Sequence, residues 1–277
     1  MAPSALCGKW LVLSEVFTDG RLAWLASARE TSPGLRIAAI FHDAIALTHP
    51  QWVSPQALAG FQSYAEALAR CDLVVCVSAQ SRDDLLAFWA RRGLPAVRTE
   101  VLHWPLPRVA IPGVWPHRRE EAAPAVLCVS SIEPRKNHLL WLRACERLWR
   151  EGIAFRALLV GERTTGAGAE VVAEIDRLRG EGRPVEWLAR VDDAALRGLY
   201  RKAAFTVYPS LKEGFGLPIL ESLSFGRPCI CGNSGAVAEV AEGGGCLTVE
   251  VDTADALAET MRTLLTVPAE RERLERE

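Results

Sequence analysis

Two glutamates, Glu213 and Glu221, stand within the segment Pro209–Gly226, PSLKEGFGLPILESLSFG. Between them, Gly214 and Gly216 free the backbone to turn sharply and approach a ligand. Pro218 suits the opening of a helix, where its missing N–H would be unpaired in any case. The spacing predicts a helix from about Leu217. Its first turn would present free N–H groups and the positive end of the helix dipole, a receptor for a diphosphate. Glu213 lies just ahead of Gly214, Phe215 and Gly216, and Glu221 lies one turn into the helix. Both carboxylates can therefore flank one ligand and accept hydrogen bonds from sugar or ribose hydroxyls. The plainer alternative is a loop–helix junction whose acidic residues only favour the helix start.

A basic pair, Arg135 and Lys136, follows the apolar run Ala125–Ser130. Lys supplies a point charge and Arg a planar fork for phosphate oxygens. The alternative is a solvated pair that, with Asn137, caps a helix start. His42 ends the run Arg36–Phe41, as a reacting residue or as an ordinary polar residue at a strand terminus. Asp43 beside it either orients the imidazole or caps the next turn. His49, His103, His117 and His138 carry no comparable signal.

Short apolar, β-branched runs alternate with segments of helical period along the chain, the pattern of βα units and a parallel sheet. In the second half the expected strands are Ala125–Ser130, Phe155–Val160, Val185–Leu188, Ala204–Tyr208, Pro228–Cys231 and Cys246–Val249, enough for a doubly wound domain. Leu139, Leu142, Cys145 and Trp149 form one helical stripe. Leu196, Leu199 and Tyr200 form another behind Asp192 as N-cap, and Asp252 and Asp255 open an expected last helix with Leu257, Met261, Leu264 and Leu265 inward. The first half offers the strands Lys9–Leu13, Arg36–Phe41, Leu73–Val77 and Thr99–His103 and the helices Gln56–Arg70 and Arg82–Arg91, a thinner sheet. Prolines crowd the stretch from His103 to Pro124, which reads as a linker. The expected organisation is a first domain over 1–110, a linker over 111–124 and a second domain over 125–277.

The chain has 277 residues, 49% hydrophobic and 24% charged, with a formal net charge of −2. That composition builds cores and provides no overall basic field for nucleic acid. The eight cysteines include no CxxC pair, and several sit in apolar runs such as LVVCVS. They are expected to be reduced, buried thiols rather than metal ligands, in a cytoplasmic protein. No DxD-like carboxylate pair at a strand end suggests a metal; Asp83-Asp84 and Asp192-Asp193 read as helix starts.

Glu213-Gly-Phe-Gly-Leu-Pro-x-x-Glu221 resembles the E-x7-E signature of the family-4 retaining glycosyltransferases. Ser131-Ile-Glu-Pro-Arg-Lys-Asn137 is similar to that family's first C-domain loop. Val185–Tyr200 followed by Ala204–Ser210 is similar to its middle segment, and Phe41-His-Asp-Ala-Ile-Ala-Leu-Thr-His-Pro50 to its histidine-bearing N-domain loop. The resemblance implies an α/β protein of GT-B type, with two Rossmann-like doubly wound parallel-sheet domains, the first incomplete. It implies donor binding by Arg135, Lys136, Glu213, Gly214, Phe215, Gly216, Leu217 and Glu221, with His42, Glu213 and Lys136 as the catalytic set. The donor would be a GDP- or UDP-sugar carrying a mannose-like hexose, and the acceptor a glycan or lipid-linked molecule, as in surface polysaccharide synthesis. No metal and no cofactor is expected. In such a front-side displacement the β-phosphate oxygen takes the acceptor proton, and the protein positions the reactants and stabilises charge.

Four departures accompany the likeness. No glycine-rich loop precedes Leu35, so the chain is expected to begin partway through the N-domain, and the closing helix of relatives is expected to be missing beyond the charged run Glu270–Glu277. Ser130-Ser131 stands where relatives carry a Gly, which would crowd the backbone near the phosphates. Ala189-Arg190 replaces another Gly, bringing base or sugar contacts there into question. A non-catalytic nucleotide-sugar-binding remnant and a GT-B sugar-nucleotide epimerase are the competing readings. Peripheral contact with the inner membrane face stays open, although no basic amphipathic helix stands out.

Overall fold

The computed structural model describes residues 8–32, 34–105, 123–164 and 166–277. The linker expected over 111–124 lies outside the described residues except for its last two. The chain divides into two compact units, one running to Trp104 and taking in Glu213–Phe215, the other comprising Pro105–Lys212 and Gly216–Glu277.

The first unit is built from β1 (Trp10–Leu13), α1 (Arg21–Thr31), β2 (Arg36–Phe41), α2 (Ile45–Thr48), α3 (Pro55–Leu68), β3 (Leu73–Cys76), α4 (Ala79–Arg92) and β4 (Thr99–Val101). Its four strands are all parallel and lie in chain order. Alternation along β2 sends Ile37, Ala39 and Phe41 into a core shared with Tyr64 and Leu68 of α3 and Leu85 and Trp89 of α4. The buried Trp89 indole is satisfied by the Ala65 carbonyl at 2.8 Å. α4 begins three residues before the expected Arg82, because Ser78 caps it by accepting from the Ser81 amide at 3.0 Å. α1 has no side-chain cap and lies outside the helices expected in this half.

The second unit is built from β5 (Ala125–Val129), α5 (His138–Arg150), β6 (Arg156–Val160), α6 (Ala169–Gly180), β7 (Val185–Leu188), α7 (Asp193–Lys202), β8 (Ala203–Tyr208), α8 (Leu217–Ser224), β9 (Cys229–Gly232), α9 (Gly235–Ala241), β10 (Cys246–Val249), α10 (Ala254–Thr266) and α11 (Pro268–Arg276). The six strands are parallel, in the spatial order β10-β9-β8-β5-β6-β7. Counted from β5, this is the 3-2-1-4-5-6 order of a dinucleotide-binding Rossmann sheet, and the order reverses between β5 and β8.

Both faces of the sheet are covered. Val126 and Cys128 of β5 pack with Leu142, Cys145 and Trp149 of α5, Ile175 of α6 and Met261 of α10. The intervening Ala125 and Leu127 pack on the other side with Tyr200 of α7 and Phe225. α5 is buried well beyond the expected stripe, with Leu140, Trp141, Ala144 and Leu148 also enclosed. Asp192 caps α7 as expected, accepting from the Ala195 amide at 2.7 Å.

The helix expected to be the last, opened by Asp252 and Asp255, is neither capped by them nor the last one described. α10 is capped by Thr253, which accepts from the Ala256 amide, and is followed by another helix, α11. The charged run folds because Pro268 opens it and Leu274 is buried, while Glu270, Arg273 and Glu277 pair at helical spacing.

Candidate functional site

In open α/β sheets, ligands bind outside the carboxyl ends of the strands where the strand order reverses. Here that point lies between β5 and β8, and the loops leaving those two strands carry Arg135, Lys136 and the approach to α8.

After β5 the chain makes a single 3-10 turn, Pro134–Lys136, and enters α5 through Asn137 at φ 57°. Asn137 is the one non-glycine with positive φ among the described residues. Its side chain donates to the Val251 carbonyl at 2.8 Å, which anchors the turn instead of capping α5. The turn aims Lys136 inward. Only 6% of that residue is exposed, and its Nζ donates to the Tyr208 hydroxyl at 2.8 Å and lies 5.0 Å from the ring centroid. This excludes the solvated alternative for Lys136 and sets a cation at the end of β8.

Arg135 is held between the two loops. Its Nε donates to Glu133 at 2.9 Å, a guanidinium N–H reaches the Lys212 carbonyl at 3.3 Å, and its own carbonyl accepts from the Leu211 amide at 2.8 Å. Burial pushes the Glu133 carboxyl up, but the hydrogen bond from Ser131 and the charges of Arg135 and Lys136 outweigh it and hold it below the usual carboxylate range.

On the β8 side, Gly216 has φ 119° and precedes α8, with Pro218 in the first turn and no side chain capping the amides. The expected helix start at Leu217 is therefore present; of its first amides, Pro218 has no N–H and that of Ile219 donates to the Gly216 carbonyl at 3.0 Å. Ser210 Oγ is buried with no hydrogen-bond partner among the described residues. Glu221 accepts from the Tyr200 hydroxyl at 2.7 Å, and Tyr200 stacks on Phe225 at 5.2 Å.

The residues at the two smaller departures have partners within the second unit. The serines after β5 turn to side-chain partners: Ser130 Oγ shares a hydrogen bond with His138 Nε2 at 2.9 Å, and Ser131 donates to Glu133. Gly161 after β6 lies against them with no room for a side chain, since a Cβ there would stand 2.0 Å from the Ser130 carbonyl oxygen. Arg190, after β7, pairs with Glu162 after β6 at 2.5 Å.

His138, unmarked in the sequence, is 1% exposed. Burial and the nearby Lys136 charge push its pKa down to about 4. The folded imidazole thus stays neutral where the unfolded one would take up a proton near pH 6.5. The stability it supports is complete above that pH and is lost as pH falls toward 4, on the order of 3 kcal/mol in all. Urea unfolding measured at several pH values should show this decline, and His138→Gln should flatten it; an unchanged slope would contradict the assignment.

The remaining expected residues belong to the first unit. His42 ends β2, with Nε2 2.9 Å from the Ser14 carbonyl oxygen and its ring stacked on Trp104. Asp43 accepts from the Ile45 amide at 2.9 Å, the turn-capping role of its two alternatives. Glu213 is buried, and the Gly214 carbonyl accepts from Ser78 at 2.7 Å and Ser81 at 3.1 Å. A Cβ on Gly214 would stand 2.2 Å from the His42 carbonyl oxygen, so glycine is required there; Phe215 lies near the His103 ring at 5.6 Å. Arg135, Lys136, Gly216, Leu217 and Glu221 are thus grouped in the second unit, and His42, Glu213, Gly214 and Phe215 in the first.

The family model "Glycosyl transferases group 1" matches residues 114–277, more than half of the chain. The chain belongs to this family. Among similar proteins of Escherichia coli, the serotype-specific mannosyltransferase WbdA is 28% identical over 229 residues, covering 73% of this chain and 26% of the relative. The O-antigen chain mannosyltransferase B is 30% identical over 231 residues, covering 80% and 59%. A GDP-mannose-dependent alpha-(1-6)-phosphatidylinositol dimannoside mannosyltransferase of Mycobacterium tuberculosis is 24% identical, covering 85% and 60%. This group 1 chain therefore spans between about a quarter and three fifths of the length of these curated relatives.

Among solved structures, the N-terminal domain of a Candida albicans trehalose-6-phosphate phosphatase aligns with TM-score 0.76 at 14% identity, over 98% of this chain and 65% of that one. A sucrose-phosphate synthase of Thermosynechococcus elongatus aligns with TM-score 0.69 at 21% identity, over 96% and 66%. These likenesses assign the GT-B fold class expected from the sequence. No helix among the described residues is long and apolar enough to cross a membrane.

Proposed function

We propose that the second unit binds a nucleoside-diphosphate sugar and that the protein transfers its hexose to a glycan or lipid-linked acceptor with retention of configuration. The observation that carries this reading is the pairing of a buried Lys136 with the uncapped start of α8 at the sheet's reversal point. The diphosphate lies in that crevice. Lys136 and the α8 amides oppose the charge that grows on the leaving diphosphate as the glycosidic bond breaks. Arg135 and the Ser210 hydroxyl supply further donors, and Glu221, oriented by Tyr200, accepts from donor hydroxyls. Glu213 and His42 act on the transferred sugar. The acceptor oxygen attacks on the face the diphosphate leaves, and a β-phosphate oxygen takes its proton, so neither a protein nucleophile nor a metal is required. The E. coli and M. tuberculosis relatives are mannosyltransferases, which favours mannose, and the latter is GDP-mannose-dependent, which favours GDP-mannose as donor.

Calorimetry with GDP, UDP, GDP-mannose and UDP-glucose tests the donor site, and GDP-mannose is expected to bind most tightly. If no nucleotide binds, the reading fails. Mannosyl transfer or slow donor hydrolysis is expected to follow, and binding without any turnover would leave a nucleotide-sugar-binding module in its place. His42→Ala is expected to lower turnover by about 10- to 100-fold with donor affinity within about threefold, since its role is in the reacting complex.

A further inference from the structure

Away from the candidate crevice, Cys229 and Cys246 open the parallel strands β9 and β10 in direct register, and Cys231 follows on the same face of β9. All strands being parallel, this places the first two thiols at the amino ends, opposite the crevice. The three cysteines share that face, and the Cys229 thiol also donates to the Ile230 carbonyl at 3.6 Å. The neighbouring Cys229 and Cys231 side chains favour a Cys246 thiolate; burial and the Glu277 carboxylate oppose it but are outweighed, so the thiol is held well below its ordinary range. The buried thiols of Cys76 and Cys128 are instead pushed up to about 12.

Access is also selective. Cys246 lies on the edge strand and is partly exposed, whereas Cys71, Cys76, Cys128, Cys145, Cys229 and Cys231 are buried. Paired residues on neighbouring strands have Cα atoms about 4.8 Å apart, inside the roughly 4.4–6.8 Å that a disulfide spans. The diagonal neighbour Cys231 is farther from Cys246 by the strand rise of two residues.

We propose that Cys246 and Cys229 form a redox-modification site, in which an oxidant carrying a disulfide, such as oxidised glutathione, converts the two thiols to a cross-strand disulfide. The Cys246 thiolate attacks one glutathione sulfur and displaces the other glutathione as a thiolate, which takes up from solvent the proton that Cys246 released. The Cys229 thiol then attacks the Cys246 sulfur of the mixed disulfide and displaces the second. Two protein thiols are oxidised, one glutathione disulfide is reduced, and the two thiol protons end on the two released glutathiones.

The whole protein is incubated with oxidised glutathione, blocked with N-ethylmaleimide and cut after Glu239 and Glu242, which separates the peptide holding Cys229 and Cys231 from that holding Cys246. The expected result is a joined pair of peptides that dithiothreitol separates, with fragmentation placing the bond at Cys229. The join should persist in Cys231→Ser and vanish in Cys246→Ser. Cys246 recovered as the maleimide adduct or as a lasting glutathione mixed disulfide would overturn the proposal, as would a bond placed at Cys231. The wild-type fragmentation locates the bond even where a serine variant fails to fold.

Discussion

Lys136→Met is expected to weaken nucleoside-diphosphate binding by about 10- to 100-fold while leaving the fold intact. A charge-assisted hydrogen bond to phosphate contributes roughly 1.5–3 kcal/mol, and the ammonium here is almost wholly enclosed, so the variant removes that contribution from the proposed site. Methionine keeps the buried volume against the Tyr208 ring and removes a charge whose desolvation opposes folding, so the melting temperature should hold or rise slightly. Titration calorimetry with GDP and UDP beside a thermal melt separates the two effects. Wild-type affinity in a folded variant would remove Lys136 from the site, and a collapse of the melting temperature would assign it a structural role.

The largest effect on stability is expected from Gly161→Ala. The new Cβ would lie 2.0 Å from the Ser130 carbonyl oxygen and 2.5 Å from its carbon, at a φ of 146° that L-residues rarely adopt. Neither neighbour is a flexible side chain that can swing aside; both are backbone at the end of β5. A loss of about 3 kcal/mol or more is expected, read as a fall of roughly 6–12 °C in the unfolding midpoint. Because the displaced segment leads to Arg135 and Lys136, nucleotide affinity should fall as well. Gly152→Ala is the control: φ is 83° there, but nothing lies within 4 Å of the added carbon, so only the backbone cost of about 1 kcal/mol applies. Equal losses in the two variants would show that the contact with Ser130 is unimportant.

The strands were legible because each is a compact apolar run between turns, and a sheet covered on both faces demands such runs. Boundaries moved by a residue or two, and α4 gained a turn once Ser78 was found to cap it. Helices without a cap or a clean stripe were not legible: α1 has neither a side-chain cap nor an acidic first turn. α11 was hidden because a run of Arg and Glu reads as solvated surface until the single buried Leu274 is seen to anchor it.

The sequence by itself determined the α/β class, the start of α8 at Leu217, and the basic pair at a strand end, because each follows from local pattern: apolar spacing, glycine with proline, and charge after a strand. Only the tertiary structure decided which side chains are enclosed and what they face. Lys136 turned inward to Tyr208, His138 became a buried neutral imidazole, and Asp43 took the capping role. It also set Gly161 so close to the Ser130 carbonyl that no side chain fits there. Such outcomes depend on strands far apart in sequence coming to lie side by side, which sets burial, dielectric and close approach, and no window of local pattern contains them.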